Sequence, residues 1–189
     1  MDLIGKKVAV LGAGGSGLAA AALALSHGAT VSAFDSGDTL RLSTAVERFA
    51  ELGVVLTCGD NALFPPNDYD VSIISPGIDA RWPIARAFSK VSKELIGEVE
   101  FACRLSEIPV VAITGTNGKT TTTSLVAHMI NGSGLKAIAA GNIGRAYREV
   151  LATREEFDWI VHELSTFQLE TIKTFSPEVV VWTHFAAAP

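Results

Sequence analysis

The sequence predicts an α/β fold in which two domains are each built on a parallel sheet. Short apolar segments alternate with helical patterns along the 189 residues, and two glycine-containing motifs each follow a predicted strand. Several of these segments are continuously hydrophobic, as is typical of parallel strands covered on both faces. The alternation indicates βαβ units with right-handed crossovers.

The strand predictions rest on this hydrophobic pattern, and the first helix rests on its spacing. Leu18, Ala21, Ala22 and Leu25 are spaced i, i+3, i+4, i+7, which predicts a helix with one buried face, and Gly28 follows where a C-terminal cap is expected. Eight segments are predicted as strands: Lys6–Leu11, Thr30–Phe34, Val54–Thr57, Val71–Ile74, Val110–Thr114, Ala137–Ala140, Trp159–His162 and Val179–Thr183.

The two motifs assign one sheet to each domain. We expect a Rossmann-like domain over residues 1–97 and a P-loop domain, incomplete at its end, over residues 98–189. The segment Val91–Gly97 is the expected connection, because the helical pattern Glu98–Leu105 follows it. Pro109 offers a second boundary, since it disfavours a helical conformation at Ile108.

Composition and charge exclude several classes of function. Hydrophobic residues make up 48% of the chain and charged residues 19%, which excludes intrinsic disorder as the main state. A net charge of −5 argues against a nucleic-acid-binding domain with a basic face. Cys58 and Cys103 lack metal-ligand spacing, so neither a zinc site nor a disulfide framework is expected. The apolar run Leu18–Leu25 is too short to span a bilayer, and a soluble cytoplasmic protein is favoured over one with a signal peptide.

The first motif, Gly12-Ala13-Gly14-Gly15-Ser16-Gly17, fits the pattern G-x-G-x-x-G between a strand and a helix. Such glycines allow a diphosphate to approach the helix N-terminus closely. Asp35 ends the second strand, where a carboxylate can accept hydrogen bonds from a ribose or base. Ser75-Pro76-Gly77 follows the fourth strand and is expected near the same diphosphate. A glycine turn that only packs helix against strand, and a simple Ser-Pro-Gly turn, are the structural alternatives.

The second motif is Gly115-Thr116-Asn117-Gly118-Lys119-Thr120-Thr121, after a strand and before the helical stretch Ser124–Met129. It predicts a P-loop in which amides and Lys119 bind phosphates and Thr120 binds Mg²⁺. Ile113 stands where the general pattern begins with glycine. Glu163, at the end of a neighbouring strand, is the expected second Mg²⁺ ligand, with a helix-capping role as the alternative. The histidines at 27, 128 and 162 are given no functional role.

Together the motifs resemble the Mur ligases, and in particular their D-glutamate-adding branch, over nearly the whole chain. Beyond the two loops and Asp35, the resemblance is carried by Ser75-Pro76-Gly77-Ile78, Gly141-Asn142-Ile143-Gly144 and Glu163-Leu164-Ser165-Thr166-Phe167-Gln168-Leu169. It implies transfer of the γ-phosphoryl group of ATP to the carboxylate of UDP-N-acetylmuramoyl-L-alanine, followed by attack of D-glutamate on the acyl phosphate. Such a ligase supplies peptidoglycan precursors and is expected to act as a monomer in the cytoplasm.

The resemblance also implies roles for individual residues. Lys119 and Asn142 would be catalytic, and Thr120 and Glu163 would hold Mg²⁺. The ATP phosphates would contact the loop residues Gly115, Thr116, Asn117, Gly118, Lys119, Thr120 and Thr121. The UDP substrate would contact Gly14, Gly15, Ser16, Asp35, Ser36, Ser75, Pro76, Gly77, Asn142, Ser165 and Gln168.

The sequence departs from the family pattern at three points. Gly37 stands where the family usually has arginine, and His184 stands where it usually has asparagine. The family also continues with an Asp-His segment, a carbamylated lysine and a third domain, so we expect a chain that does not turn over alone. An oxidoreductase, a folylpolyglutamate-type ligase and a non-catalytic nucleotide-binding fragment are the alternatives. The oxidoreductase leaves the second motif unexplained, and the folylpolyglutamate type lacks a nucleotide-sugar domain.

Overall fold

The computed structural model describes residues 1–141 and 156–185. The chain forms two compact units, Met1–Phe101 and Ala102–Pro189, and each contains one sheet. All strand pairs recorded in the described residues are parallel, which confirms the predicted fold class. In those same residues, no helix combines the length and the apolar character needed to cross a membrane.

The first unit is a five-stranded sheet in the order β3-β2-β1-β4-β5. Because the order reverses between β1 and β4, the carboxyl ends of these strands form the crevice where open α/β sheets bind ligands. Its elements are β1 (Lys7–Leu11), α1 (Gly15–Ser26), β2 (Thr30–Asp35), α2 (Ser43–Glu51), β3 (Leu56–Cys58), a 3₁₀ turn (Gly59–Leu63), β4 (Tyr69–Ile74), α3 (Pro83–Val91) and β5 (Ser92–Gly97).

The second unit has a four-stranded sheet in the order β7-β8-β6-β9. The strand that leads into the second motif, β6, therefore lies between β8 and β9. The remaining elements are α4 (Glu98–Arg104), which contains the boundary between the units, β6 (Val110–Thr114), α5 (Lys119–Gly132), β7 (Ala137–Ala140), β8 (Trp159–Glu163), α6 (Thr166–Leu169) and β9 (Val179–Trp182).

All eight predicted strands are present, with ends that differ by at most two residues. The expected connection Val91–Gly97 is wrong, because Ser92–Gly97 forms β5 and pairs with β4. Only Ile96 and Gly97 of this edge strand are buried, while Lys93 is exposed, so its hydrophobic pattern is weak. The first unit continues to Phe101, four residues beyond the predicted limit at residue 97.

Helix α1 buries a face of small residues rather than the predicted leucine face. The buried set is Gly17, Ala20, Ala21, Leu23 and Ala24, whereas Leu18 and Leu25 are half-buried. A Cβ on Gly17 would overlap the carbonyl oxygen of Gly12, so the first turn of the helix lies against the loop backbone. Gly28 has φ +83° and its amide donates to Leu25 O, which confirms the predicted cap.

Side chains of the central strands, packed against helices, form the cores of both units. In the first unit Phe34 packs against Phe88 at 4.6 Å and against Tyr69 at 6.1 Å between ring centroids. In the second unit, Val110 and Ile160 belong to one cluster, and Val111 and Val161 belong to another. Neighbouring positions of paired strands point to opposite faces, so both faces of this sheet are covered.

Replacing Gly17 by alanine is expected to destabilise the first unit, because the new Cβ has no space beside Gly12 O. Overpacking of this kind costs about 1–3 kcal/mol. Gly15→Ala is the matched control, since a Cβ at that position meets no atom within 4 Å. Urea unfolding should give a lower free energy of unfolding for Gly17→Ala only, and equal values for the two variants would contradict the packing.

His162 should make stability depend on pH. Burial lowers the pKa of this core histidine in β8 from 6.5 to about 4. The unfolded chain therefore binds a proton before the folded chain does, and stability present above pH 6.5 is lost as the pH falls towards 4. The full loss is about 3 kcal/mol for one group with this difference in pKa.

Urea titrations between pH 7 and pH 4 would measure this loss. His162→Phe should flatten the pH dependence of the unfolding free energy, while His128→Gln, a change at an exposed histidine of α5, should leave it in place. A parent-like slope in His162→Phe would assign the acid sensitivity to other groups.

Candidate functional site

The first unit has a cavity of about 340 Å³ at the carboxyl ends of β1, β2 and β4. Its position at the reversal of strand order is the one expected for a ligand crevice. It brings together three loops that are far apart in sequence. The lining residues are Gly12, Ala13, Gly14, Gly15, Ser16, Asp35, Ser36, Ser75, Pro76, Gly77, Ile78 and Trp82.

The backbone of the glycine loop is open to this cavity. Gly14 and Gly15 have nothing within 4 Å of an added Cβ, and Gly77 is equally open. Helix α1 begins at Gly15, and its N-cap residue Gly14 provides no side-chain hydrogen bond. The helix therefore begins without a side-chain cap beside an open glycine backbone, which is the arrangement that binds diphosphates at helix N-termini.

Asp35 holds two loops of the first cavity through its carboxylate. One oxygen accepts the amide of Ala13 at 2.7 Å and the other accepts the amide of Gly37 at 2.8 Å. Carboxylate oxygens have further lone pairs, so a ligand hydroxyl can still donate to them. Burial, and then the nearby Asp35 carboxylate, raise the pKa of the Cys58 thiol, which favours its neutral form.

Ser75 contributes a buried hydroxyl beside the glycine loop. Its Oγ lies 2.8 Å from the position of a Cβ on Gly12, where φ is +108° and glycine is required. Among the described residues this hydroxyl has no hydrogen-bond partner. Buried polar groups are normally paired, so Ser75 has unused hydrogen-bonding capacity next to the loop.

Two apolar residues of the first cavity, Ile78 and Trp82, were not predicted as site residues from the sequence. Trp82 is 50% exposed and directly precedes Pro83, the first residue of α3. A half-exposed indole on a cavity wall offers a flat surface to a ring. The dipeptide Trp-Pro after the Ser-Pro-Gly turn was the available signal, but exposure cannot be read from it.

The second motif forms a loop between β6 and α5, with positive φ at Gly115 and Gly118. Lys119 is the first residue of α5 and lines a second cavity, of about 430 Å³. Its Nζ donates to Gly115 O at 2.8 Å. The ammonium therefore lies over the loop and beside the cavity. The lining residues are Thr114, Gly115, Thr116, Lys119, Ser165, Thr166, Phe167, Leu169, Trp182 and Phe185.

Thr120 and Glu163, the two residues predicted to bind Mg²⁺, lie close together at the end of β8. The Thr120 hydroxyl donates to the Glu163 carboxylate at 3.1 Å, and Glu163 is 4% exposed. Hydroxyl and carboxylate oxygens are the donors that Mg²⁺ prefers, so these residues fit that ion. In the ranges 1–141 and 156–185, no group of three or more His, Cys, Asp and Glu side chains is arranged for a metal.

Ser165 and Gln168 bond to each other. Gln168 Oε1 accepts the Ser165 amide at 2.9 Å, and Ser165 Oγ accepts the Gln168 amide at 3.3 Å, which together form a capping box at α6. Ser165 also lines the second cavity, together with the exposed aromatic side chains Phe167, Trp182 and Phe185. Asn142, predicted as a catalytic and substrate-binding residue, lies outside the described residues.

The residues that follow β9 contact the loop of the second motif, which was not predicted from the sequence. The Thr183 hydroxyl donates to Asn117 O at 2.6 Å. His184 O accepts the Thr116 amide at 2.8 Å. A Cβ on Gly115 would overlap Thr183 Oγ1. These contacts join residues more than 60 positions apart, so no local pattern could reveal them.

Two family profiles match the chain in the two units. The profile of the Mur ligase middle domain matches residues 113–188, and that of a NAD(P)-binding Rossmann-like domain matches residues 10–73. In structure, the chain is similar to UDP-N-acetylmuramate:L-alanyl-gamma-D-glutamyl-meso-diaminopimelate ligase from Neisseria meningitides, with a TM-score of 0.55 and 20% identity. That match covers 96% of this chain and 61% of the other, and it shows the fold.

Curated relatives named UDP-N-acetylmuramoylalanine--D-glutamate ligase match almost the entire chain. The relative from Desulfatibacillum aliphaticivorans is 36% identical over 97% of this chain, and that from Caldanaerobacter subterraneus subsp. tengcongensis is 41% identical over 95%. A third, from Gloeobacter violaceus, is 41% identical over 94%. The chain spans about two fifths of the length of these relatives. With both loops in the strand-to-helix positions that the motifs require, these matches show that the chain belongs to the Mur ligase family.

Proposed function

We propose that this chain takes part in ATP-dependent addition of D-glutamate to UDP-N-acetylmuramoyl-L-alanine, a step of peptidoglycan precursor synthesis. The observation that carries the proposal is the second motif, where Lys119 lies over a P-loop and Thr120 meets Glu163 at 3.1 Å. The relatives named for this reaction support the choice of substrates. Cytoplasmic location, a monomeric state and the lack of nucleic-acid and membrane partners stay predictions.

The first cavity is assigned to the UDP part of the substrate. The open backbone at Gly14 and Gly15 suits a diphosphate, and the Ser75 hydroxyl, which has no hydrogen-bond partner in the described residues, adds a donor next to it. Asp35 and Ser36 follow β2, where hydrogen-bond acceptors can select a ribose or base. The proposed diphosphate site therefore has polar residues, Asp35 and Ser36, and an aromatic residue, Trp82, beside it.

The second cavity is assigned to the ATP phosphates and to phosphoryl transfer. The alanine carboxylate attacks the γ-phosphorus, and the bond between the γ-phosphorus and the oxygen bridging to the β-phosphate breaks. ADP departs and an acyl phosphate is formed. The D-glutamate amine then attacks the carbonyl carbon, and phosphate departs as the amide forms. The residues of the chain act on charge: Lys119 and the first amides of α5 neutralise phosphate oxygens that become more negative during transfer.

In this proposal Thr120 and Glu163 would hold a magnesium ion. When bound, the ion would neutralise phosphate charge as a Lewis acid. The side chains of Phe167, Trp182 and Phe185 bring apolar surface to the same cavity. Apolar walls limit the access of water, and water would hydrolyse an acyl phosphate before the amine attacks.

Lys119→Ala should reduce ATP affinity by about tenfold or more and leave UDP-N-acetylmuramoyl-L-alanine affinity unchanged, because charged hydrogen bonds contribute about 1.5–3 kcal/mol each. Calorimetric titration of both ligands measures the effect. Lys136→Ala is the matched control, since Lys136 is an exposed lysine of the same unit. Equal losses for both ligands would contradict the division between the cavities, and NAD binding tighter than the UDP ligand would favour the oxidoreductase.

Trp82→Ala should weaken the UDP ligand by about tenfold, since stacking of a base on an aromatic side chain contributes about 1–3 kcal/mol. Trp82→Phe should retain most of the affinity because it keeps a ring at the cavity wall. Phe64→Ala removes an exposed ring of the same unit that does not line the cavity and should have no effect. An unaltered affinity in Trp82→Ala would remove this residue from the site.

A further inference from the structure

We propose that Thr183 is a positioning residue for the nucleotide phosphates: its hydroxyl sets the orientation of a peptide unit in the loop Gly115–Lys119. The inference rests on the proposed ATP site. Thr183 directly follows β9 and donates from Oγ1 to Asn117 O at 2.6 Å, with Thr114 O at 3.3 Å as a second, longer contact. Its own amide donates to Thr114 O at 3.0 Å, which fixes the backbone of Thr183 against β6.

The loop and the end of β9 lie too close for any side chain at residue 115. Gly115 has φ +137°, and an added Cβ would overlap Thr183 Oγ1 and lie 3.0 Å from both N and O of His184. The amide of Thr116 donates to that His184 oxygen at 2.8 Å. The strand end thus contacts three successive residues of the loop, through backbone at Thr116 and through the Thr183 side chain at Asn117.

These contacts determine which way the loop amides face. In a planar trans peptide the C=O and the following N–H point in opposite directions. The Thr116 N–H points to His184, so Gly115 O points away from the strand end. There Gly115 O accepts a hydrogen bond from Lys119 Nζ at 2.8 Å. The same rule applies to the peptide unit between Asn117 and Gly118, in which Asn117 O points to Thr183.

The amide of Gly118 shares a peptide plane with Asn117 O, so it points away from Thr183, in the direction opposite to the strand end. Gly118 has φ +80° and no side chain to hold it, and it directly precedes the first residue of α5. Without the hydroxyl, nothing else among the described residues is recorded as a donor to Asn117 O. The peptide could then rotate and take the Gly118 N–H out of the phosphate site.

The experiment compares Thr183→Val, which keeps the shape of the side chain but removes the donor, with Thr183→Ser, which keeps the donor. Calorimetry with ATP should give a loss of affinity of about fivefold to tenfold for Thr183→Val, and a change below about threefold for Thr183→Ser. UDP-N-acetylmuramoyl-L-alanine affinity should be unchanged in both. Parent-like ATP affinity in Thr183→Val, or equal losses in the two variants, would overturn the inference.

Amide hydrogen exchange of the ligand-free chain provides a second readout. Thr183→Val should exchange faster at residues 116–118 than the parent protein, while Thr183→Ser should not. If the parent chain binds no ATP, the proposed function fails, and the exchange result still decides whether Thr183 orders the loop. Unchanged exchange in Thr183→Val would exclude the positioning role, whatever the nucleotide affinity.

Discussion

The carbonyl oxygen of Gly12 occupies the place where a side chain on Gly17 would begin, and the hydroxyl of Thr183 occupies the corresponding place at Gly115. In both units, then, backbone atoms at the carboxyl end of a strand pack directly against a neighbouring segment. This proximity leaves the next amides at the surface of a cavity, where they can meet an anion. The candidate sites depend on this constraint because their hydrogen-bond donors are main-chain amides. Only glycine, which has no Cβ, lets these loops pack so closely against their neighbours.

Local donors also explain how an acidic protein could bind the two polyanions that we propose as its ligands. With a net charge of −5, the chain as a whole repels phosphates, and screening limits that repulsion to short range at physiological salt. The opposing attraction is concentrated at helix starts and at Lys119. Glu163 adds negative charge beside that lysine, and its hydrogen bond from Thr120 provides a pair of oxygens that a divalent ion can join.

Sequence patterns predicted the elements that carry their own signal. Strand β7 is entirely apolar, and β1 and β6 are apolar except for one terminal residue each. The two loops have glycines and a lysine in recognisable positions, so these elements were predicted to within one residue. The edge strand β5 was not predicted because the charged residues Lys93 and Glu94 interrupt its hydrophobic pattern. The buried face of helix α1 is shifted by one residue from the predicted face, because close packing favours glycine and alanine over leucine. Trp82 and Thr183 were missed since their neighbours are distant in sequence and are known only from the fold.

Asp35 shows why the first cavity resists simple redesign. Both oxygens of its carboxylate hold main-chain amides, one in the glycine loop and one at Gly37. A change of this residue made to alter nucleotide preference would also release both loops, so it would disrupt the architecture that we propose binds a diphosphate. Ser36 and Trp82 line the same cavity, and their side chains hold no main-chain amide among the residues that the structure describes. Divergence in ligand choice is therefore expected to proceed through these two positions, with the aspartate retained.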